Sequence, residues 1–194
     1  MGTQPIAGAT MQVLDTPFTS YDAYRAWAGS RPDEEHFDVV GGVPVLTPSP
    51  TPAHQLVLYR LTQLLGAVLP SGFVILQAPL DWVLWEAPRL QVRQPDLVVV
   101  PATAVRGTHL SAPPVLLVEV LSPGSRDRDL VHKRDEYAQA GLDHYWVVDP
   151  AEPRLIAFGR SGLSLVLVAQ AVGDETVALD EPFPVTLSPG QLVR

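Results

Sequence analysis

The spacing of apolar side chains along the chain predicts three helices. Between residues 53 and 69 apolar side chains recur every three or four positions, as on one face of a helix. The charged segment 126–140 ends at Gly141 and predicts a second helix. A shorter helix is predicted over residues 19–28, with Thr19 placed to cap its N-terminus.

Extended segments separate these helices. Two β-branched runs within residues 36–46 flank Gly41-Gly42, which predicts a hairpin with a two-residue turn. Further strands are predicted at about 72–77, 80–85, 95–100, 115–121, 145–150, 155–159 and 163–169. The third and fourth of these segments are almost entirely apolar, so both of their faces should be buried in a sheet covered by helices.

The order of helices and strands predicts an α/β domain with a mixed central β-sheet flanked by helices. Residues 1–16 carry no clear period, so we expect a flexible N-terminus followed by a single domain over residues 17–194. A chain of 194 residues with 46% hydrophobic residues is long and apolar enough to bury a core, which excludes a disordered protein.

Cysteine is absent, and this excludes disulfides, cysteine-ligated metals and a thiol nucleophile. Any metal must therefore be held by oxygen or histidine ligands. No apolar run reaches the roughly 18 residues of a membrane span, and the chain does not open like a signal peptide. We expect a cytoplasmic protein without a membrane partner.

The charge balance is acidic, with 13 Lys and Arg against 21 Asp and Glu and a formal net charge of −8. Such a balance argues against a protein that merely coats nucleic acid, because coating proteins neutralise phosphates with basic patches. Lys133 is the only lysine among these basic residues. In a chain that otherwise uses Arg, this lysine is expected to do something that a guanidinium cannot.

Glu119 is the most informative acidic residue, because it lies in the apolar run 115–121. A carboxylate buried there must be paired with a cation or bound to a metal. A core ion pair with Arg93 or Arg134 is the structural alternative.

Asp96 opens another buried strand, 23 residues before Glu119. Alone it is typical of a turn, but two acids at corresponding points of two buried strands can converge on one cation such as Mg²⁺. Lys133 follows Glu119 by 14 residues, and helical spacing places it beside the sheet-facing side of its helix. A solvated lysine on a charged helix is the alternative.

These residues resemble a known superfamily, the PD-(D/E)XK nucleases, with Pro95-Asp96 similar to its "PD" and Glu119 to its second acid. Over roughly residues 17–150 the chain resembles more closely the Uma-type family of putative restriction endonucleases. The matching stretches are HFDVVGGVPVLTPSPTPAHQ, RQPDLVVVP and VLLVEVLSPGSRDRDLVHKRDEYAQAGLDHYWVVDP. This resemblance implies a restriction-endonuclease-like core.

The resemblance also implies a catalytic set of Asp96, Glu119 and Lys133. The superfamily usually has its lysine two residues after the second acid, where this chain has Leu121. Lys133 would therefore supply the amine from the next helix. Mg²⁺ or Mn²⁺ would be bound by the two acids and the main-chain carbonyl of Val120.

Two further residues match the family's pattern. Asp38 lies where the family usually has Glu in the first hairpin and would assist at the metal. His54 follows the proline-rich loop and would contact substrate or support the site from behind, although ordinary hydrogen bonding at a helix start is an equal alternative.

The implied reaction is phosphodiester hydrolysis in DNA, with RNA or another phosphodiester as an alternative substrate. Because the chain is acidic, the DNA would be steered by local arginines, namely Arg93, Arg126, Arg128 and Arg134. Cleavage of both strands favours a homodimer. A catalytically inactive interaction or regulatory module with the nuclease fold is the alternative function.

Overall fold

A computed structural model describes residues 17–122 and 132–194. The described helices are α1 (Tyr21–Ala28), α2 (Pro52–Val68), α3 (Arg134–Gln139) and α4 (Pro189–Val193). The first six strands are β1 (Phe37–Val40), β2 (Val43–Leu46), β3 (Phe73–Gln77), β4 (Trp82–Trp85), β5 (Gln91–Arg93) and β6 (Leu97–Pro101). The later six are β7 (Leu116–Val120), β8 (His144–Asp149), β9 (Arg154–Ser161), β10 (Ser164–Val172), β11 (Val177–Leu179) and β12 (Val185–Leu187).

The largest sheet has six strands in the order β10-β9-β8-β7-β6-β3. Strands β7 and β8 run parallel, and the other neighbouring strands in this sheet are antiparallel. A smaller antiparallel sheet has the order β2-β1-β5-β4, and β11 pairs with β12. The predicted α/β class with a mixed central sheet is confirmed.

Strand β7 lies in the middle of the large sheet and is buried along its whole length. Leu116, Val118 and Val120 pack in the same apolar cluster as α2, whereas Leu117 packs in a second cluster with Tyr137 of α3. Alternation along a strand therefore directs Glu119 towards α3. The near-continuous apolar sequence of β7 follows from this double burial.

Local signals explain several of the element boundaries. The Thr51 hydroxyl accepts from His54 N and caps α2, and Pro52 occupies its first turn. In α1 the capping residue is Ser20, whose hydroxyl accepts from Ala23 N, so the prediction of Thr19 is wrong by one residue. At the hairpin Gly41 and Gly42 have φ of 58° and 84°, which the two-residue turn requires.

Two of the segments predicted from the sequence lie partly or wholly outside the described residues. The predicted helix over 126–140 is seen from residue 132, as π-helix at 132–133 followed by α3, and Gly141 ends it with φ of 95°. Residues 126–131 and the expected flexible segment 1–16 lie outside the described residues. Within the described ranges, no helix is long and apolar enough to cross a membrane.

Candidate active site

A buried charged contact joins β7 to the start of α3. Lys133 Nζ lies 2.9 Å from Glu119 Oε1, and the two residues are 5% and 3% exposed. The Tyr137 hydroxyl donates to the same oxygen at 2.6 Å. The Glu119 carboxylate is buried because β7 is apolar on both sides of it. It accepts hydrogen bonds from an ammonium and a phenol, which offset its loss of water.

Tyr137 is held by aromatic packing as well as by this hydrogen bond. Its ring is fully buried, stacks on Trp82 with 5.4 Å between centroids and meets Tyr145 edge-on at 5.3 Å. Burial, and then the charge of Glu119, raise the pKa of the Tyr137 phenol well above its usual value. The hydroxyl therefore stays protonated and remains a donor at neutral pH.

Asp96 directly precedes β6, on the strand next to that of Glu119. The antiparallel register pairs Leu97 with Val118, so the next pair along brings Asp96 opposite Glu119. Asp96 Oδ2 accepts from Val120 N at 2.7 Å and lies 3.1 Å from His54 Nε2. Two acidic residues from neighbouring strands therefore lie at the same end of β6 and β7.

His54 approaches this point from the first turn of α2. The residue is 6% exposed, and its Nδ1 atom is buried without a hydrogen-bond partner among the described residues. An orphaned ring nitrogen is costly unless it meets a water, an ion or a substrate group. His54 thus places one spare hydrogen-bonding atom next to Asp96.

Asp38 joins the small sheet to the same region. Its Oδ2 accepts from Arg93 at 2.9 Å, and its Oδ1 accepts from Gln94 N at 3.0 Å. Burial alone would raise the pKa of Asp38, but the charges of Lys133 and Arg93 outweigh it and lower that pKa. Asp38 is therefore ionised, and each of its oxygens already accepts one hydrogen bond.

The structure joins Lys133 to Glu119 and His54 to Asp96, and the strand register sets Asp96 opposite Glu119 on the neighbouring strand. The alternative of a core ion pair between Glu119 and Arg93 or Arg134 is wrong. Arg93 binds Asp38 and Glu136. Arg134 binds the exposed Asp135. The predicted arginines at 126 and 128 lie outside the described residues.

Tyr137 and Glu136 are site residues to which the sequence argument gives no role. They follow Lys133 by four and three positions, and residues at these spacings share one face of a helix. That spacing was the signal that could have found them.

The donor chemistry fits a divalent cation. Within residues 17–122 and 132–194 no three His, Asp or Glu side chains form a metal cluster. Mg²⁺, however, is commonly held by one or two carboxylates with water completing its shell. Four carboxylates of the described residues lie in this region beside two cationic side chains and the imidazole of His54. The carboxylates are those of Asp38, Asp96, Glu119 and Glu136, and the cations are Arg93 and Lys133. Asp96 and Glu119 are the pair that would hold the ion, together with the main-chain carbonyl of Val120, the residue after Glu119.

Comparison with known proteins places this constellation in a family. A family model described as "Uma2: Putative restriction endonuclease" matches residues 21–192. The chain belongs to the Uma2 family. Membership confirms the family that the motifs around Asp96 and Glu119 indicate, and it supports a nuclease function for this Uma2 protein.

A solved structure shares the fold of this Uma2 protein. The crystal structure of a putative nuclease from Anabaena variabilis matches with a TM-score of 0.67 and 15% identity, covering 86% of this chain and 94% of the other. At this identity the likeness shows a shared fold and nothing about residue roles. A search of curated proteins found no match.

Proposed function

We propose that this Uma2 protein is a metal-dependent endonuclease that hydrolyses phosphodiester bonds in DNA. The observation that carries the proposal is the buried Glu119–Lys133 contact with Asp96 on the neighbouring strand. Two carboxylates and an amine at one sheet end are the groups that metal-assisted phosphodiester hydrolysis needs.

Each side chain has a role in this proposal. Asp96 and Glu119 would bind Mg²⁺ or Mn²⁺, which when present lowers the pKa of water and offsets charge on the scissile phosphate. Lys133 would orient or deprotonate the attacking water. Tyr137 fixes the Glu119 carboxylate by its 2.6 Å hydrogen bond, and His54 would fix Asp96 and present Nδ1 to water or phosphate.

Substrate binding must overcome the net charge of −8. Arg93 is buried and already bound to two carboxylates, so it is not a phosphate ligand. Arg134 is a better candidate, because a third of its side chain is exposed next to Lys133. We therefore expect DNA binding to be weak.

We also propose a homodimer, in which two copies cut the two strands of a duplex. Among the described strands β10 is an edge of the large sheet, and the segment 163–172 contains no charged residue. Leu163, Val166, Leu167 and Val168 are exposed there. Antiparallel pairing of two β10 edges would bring no like charges together. Sedimentation equilibrium should give a dimer for the wild type and a monomer for Leu167→Lys.

Metal binding and plasmid nicking test the proposed activity together. Mg²⁺ or Mn²⁺ should raise the Tm of the wild type and support nicking of supercoiled DNA, and Glu119→Gln should lose both effects. Glu34→Gln is the matched control, since it removes an exposed carboxylate from the loop before β1. Titration calorimetry with Mn²⁺ alone measures binding without any reaction.

The inactive-module alternative rests on the same contact, because Glu119 Oε1 is satisfied by Lys133 and Tyr137 without any ion. If neither ion binds the wild type and no DNA or RNA is cut, the nuclease proposal is refuted. Cutting of RNA but not DNA would overturn the substrate and leave the chemistry standing.

A further inference from the structure

Arg93 lies between two acids that belong to different parts of the fold. It is the last residue of β5 and is 3% exposed. One guanidinium nitrogen donates to Asp38 of β1 at 2.9 Å, and two others donate to both carboxylate oxygens of Glu136 at 2.8 Å. A single buried side chain thus ties α3 to the small sheet.

The contact between Arg93 and Glu136 fixes the orientation of the two groups as well as the distance between them. A bidentate contact between a guanidinium and a carboxylate fixes the orientation of both planes, which a lysine at the same place could not do. Burial opposes the charge on Arg93, but Asp38 and Glu136 outweigh it and raise the pKa of the guanidinium. The guanidinium therefore stays charged in the folded protein.

Helix α3 needs such an anchor. Its described α-helical part has six residues and follows a π-helical turn at 132–133. Short helical segments gain most of their stability from tertiary contacts. Glu136 lies three positions after Lys133, so a contact that fixes Glu136 also fixes the turn that carries the amine.

We propose that Arg93 is a positioning residue of this site, which holds Lys133 against Glu119 by clamping Glu136 of α3 to Asp38 of β1. The catalytic consequence rests on the proposed nuclease function. The structural consequence, a Lys133 amine held in a protected position, does not.

The single lysine makes the structural part measurable without activity. Lys133 is the only lysine of the chain, so acylation by an N-hydroxysuccinimide ester followed by peptide mass spectrometry reports one side-chain amine. In the wild type this reaction should be slow, since Lys133 is 5% exposed and bound to Glu119.

Glu136→Ala is the test variant, because the Glu136 side chain is 21% exposed and its loss leaves the Arg93–Asp38 contact in place. We expect acylation of Lys133 to accelerate at least about tenfold, and kcat for nicking to fall about 10- to 100-fold with KM within about twofold. Glu35→Ala is the matched control, since it removes a carboxylate of 32% exposure from a pair with Arg31 on another part of the fold. It should change neither quantity.

The outcomes separate the two proposals. An unchanged acylation rate in Glu136→Ala overturns the clamp, whether or not the wild type cuts DNA. Faster acylation of Lys133 in Glu136→Ala, together with a wild type that never cuts DNA, supports the clamp and refutes the nuclease proposal. Should Glu136→Ala not fold, Arg93→Lys replaces it, with the new amine resolved on its own peptide. This variant keeps the charge but loses the bidentate contact. A Tm equal to that of the wild type with a low kcat supports positioning, and a kcat equal to that of the wild type overturns it.

Discussion

Loss of the Lys133 amine should destabilise the protein strongly, because it leaves the buried Glu119 carboxylate without its cation. The side chains of Lys133 and Glu119 are 6% and 4% exposed, with 2.9 Å between Nζ and Oε1. Two unit charges about 4 Å apart attract by about 4 kcal/mol at an effective dielectric constant of about 20. Removing one partner of a buried pair costs about 3–5 kcal/mol. We expect Lys133→Met, which keeps the apolar stem, to lose a similar free energy of unfolding.

Urea unfolding at pH 7.5 (about 25 °C) in the absence of metal measures this loss, and the neighbouring residue supplies the control. Arg134→Met removes a cation whose carboxylate partner Asp135 is largely exposed, so it should cost less than about 1 kcal/mol. In the double variant Lys133→Met with Glu119→Gln, the two losses should fall short of additivity by about 1–3 kcal/mol. A loss for Lys133→Met no larger than that of the control, or strictly additive losses, would refute the argument from burial.

Three further predictions concern the hydrogen bond to Glu119, the first hairpin and the pH dependence. Tyr137→Phe keeps the aromatic packing but removes the 2.6 Å donor to Glu119, so we expect a loss of about 1–3 kcal/mol in urea unfolding; an unaltered midpoint would contradict it. Gly42→Ala should cost more than Gly41→Ala by thermal denaturation, because both glycines have positive φ but only at Gly42 would a Cβ lie 2.5 Å from a main-chain oxygen; equal costs would disprove the clash. Burial lowers the pKa of His144, so the unfolded chain binds its proton more readily and stability should fall as pH drops below about 6.5; His144→Gln should flatten the wild-type slope between about pH 7 and 5, and parallel slopes would exclude this role.

Several elements follow from the chain alone because their signals are local. The helical stripe over 53–69 gives α2, and the paired glycines give the first hairpin with the expected positive φ. The apolar run 115–121 gives a strand buried on both faces. Strands β5, β11 and β12 have three residues each, too few for a periodic signal, and the sequence argument does not find them.

For the site, the sequence by itself determined that Glu119 must have a partner, since desolvating a lone carboxylate is prohibitive whatever the fold. It also singled out Asp96 and Lys133, by strand position and by being the only lysine. Which cation reaches Glu119 was decided only by the tertiary structure. Lys133, Arg93 and Arg134 are all compatible with the sequence, and the packing of α3 against β7 selects the first.

The same holds for Asp38 and Asp96. Their bonds to Arg93 and to the main chain of Val120 join residues 55 and 24 positions apart, through sheet register that no local pattern encodes. Local propensity and the cost of burial act within a segment or on a single group, and so can be worked out from the chain. The choice among distant partners depends on how all segments pack at once, and only the folded structure makes it.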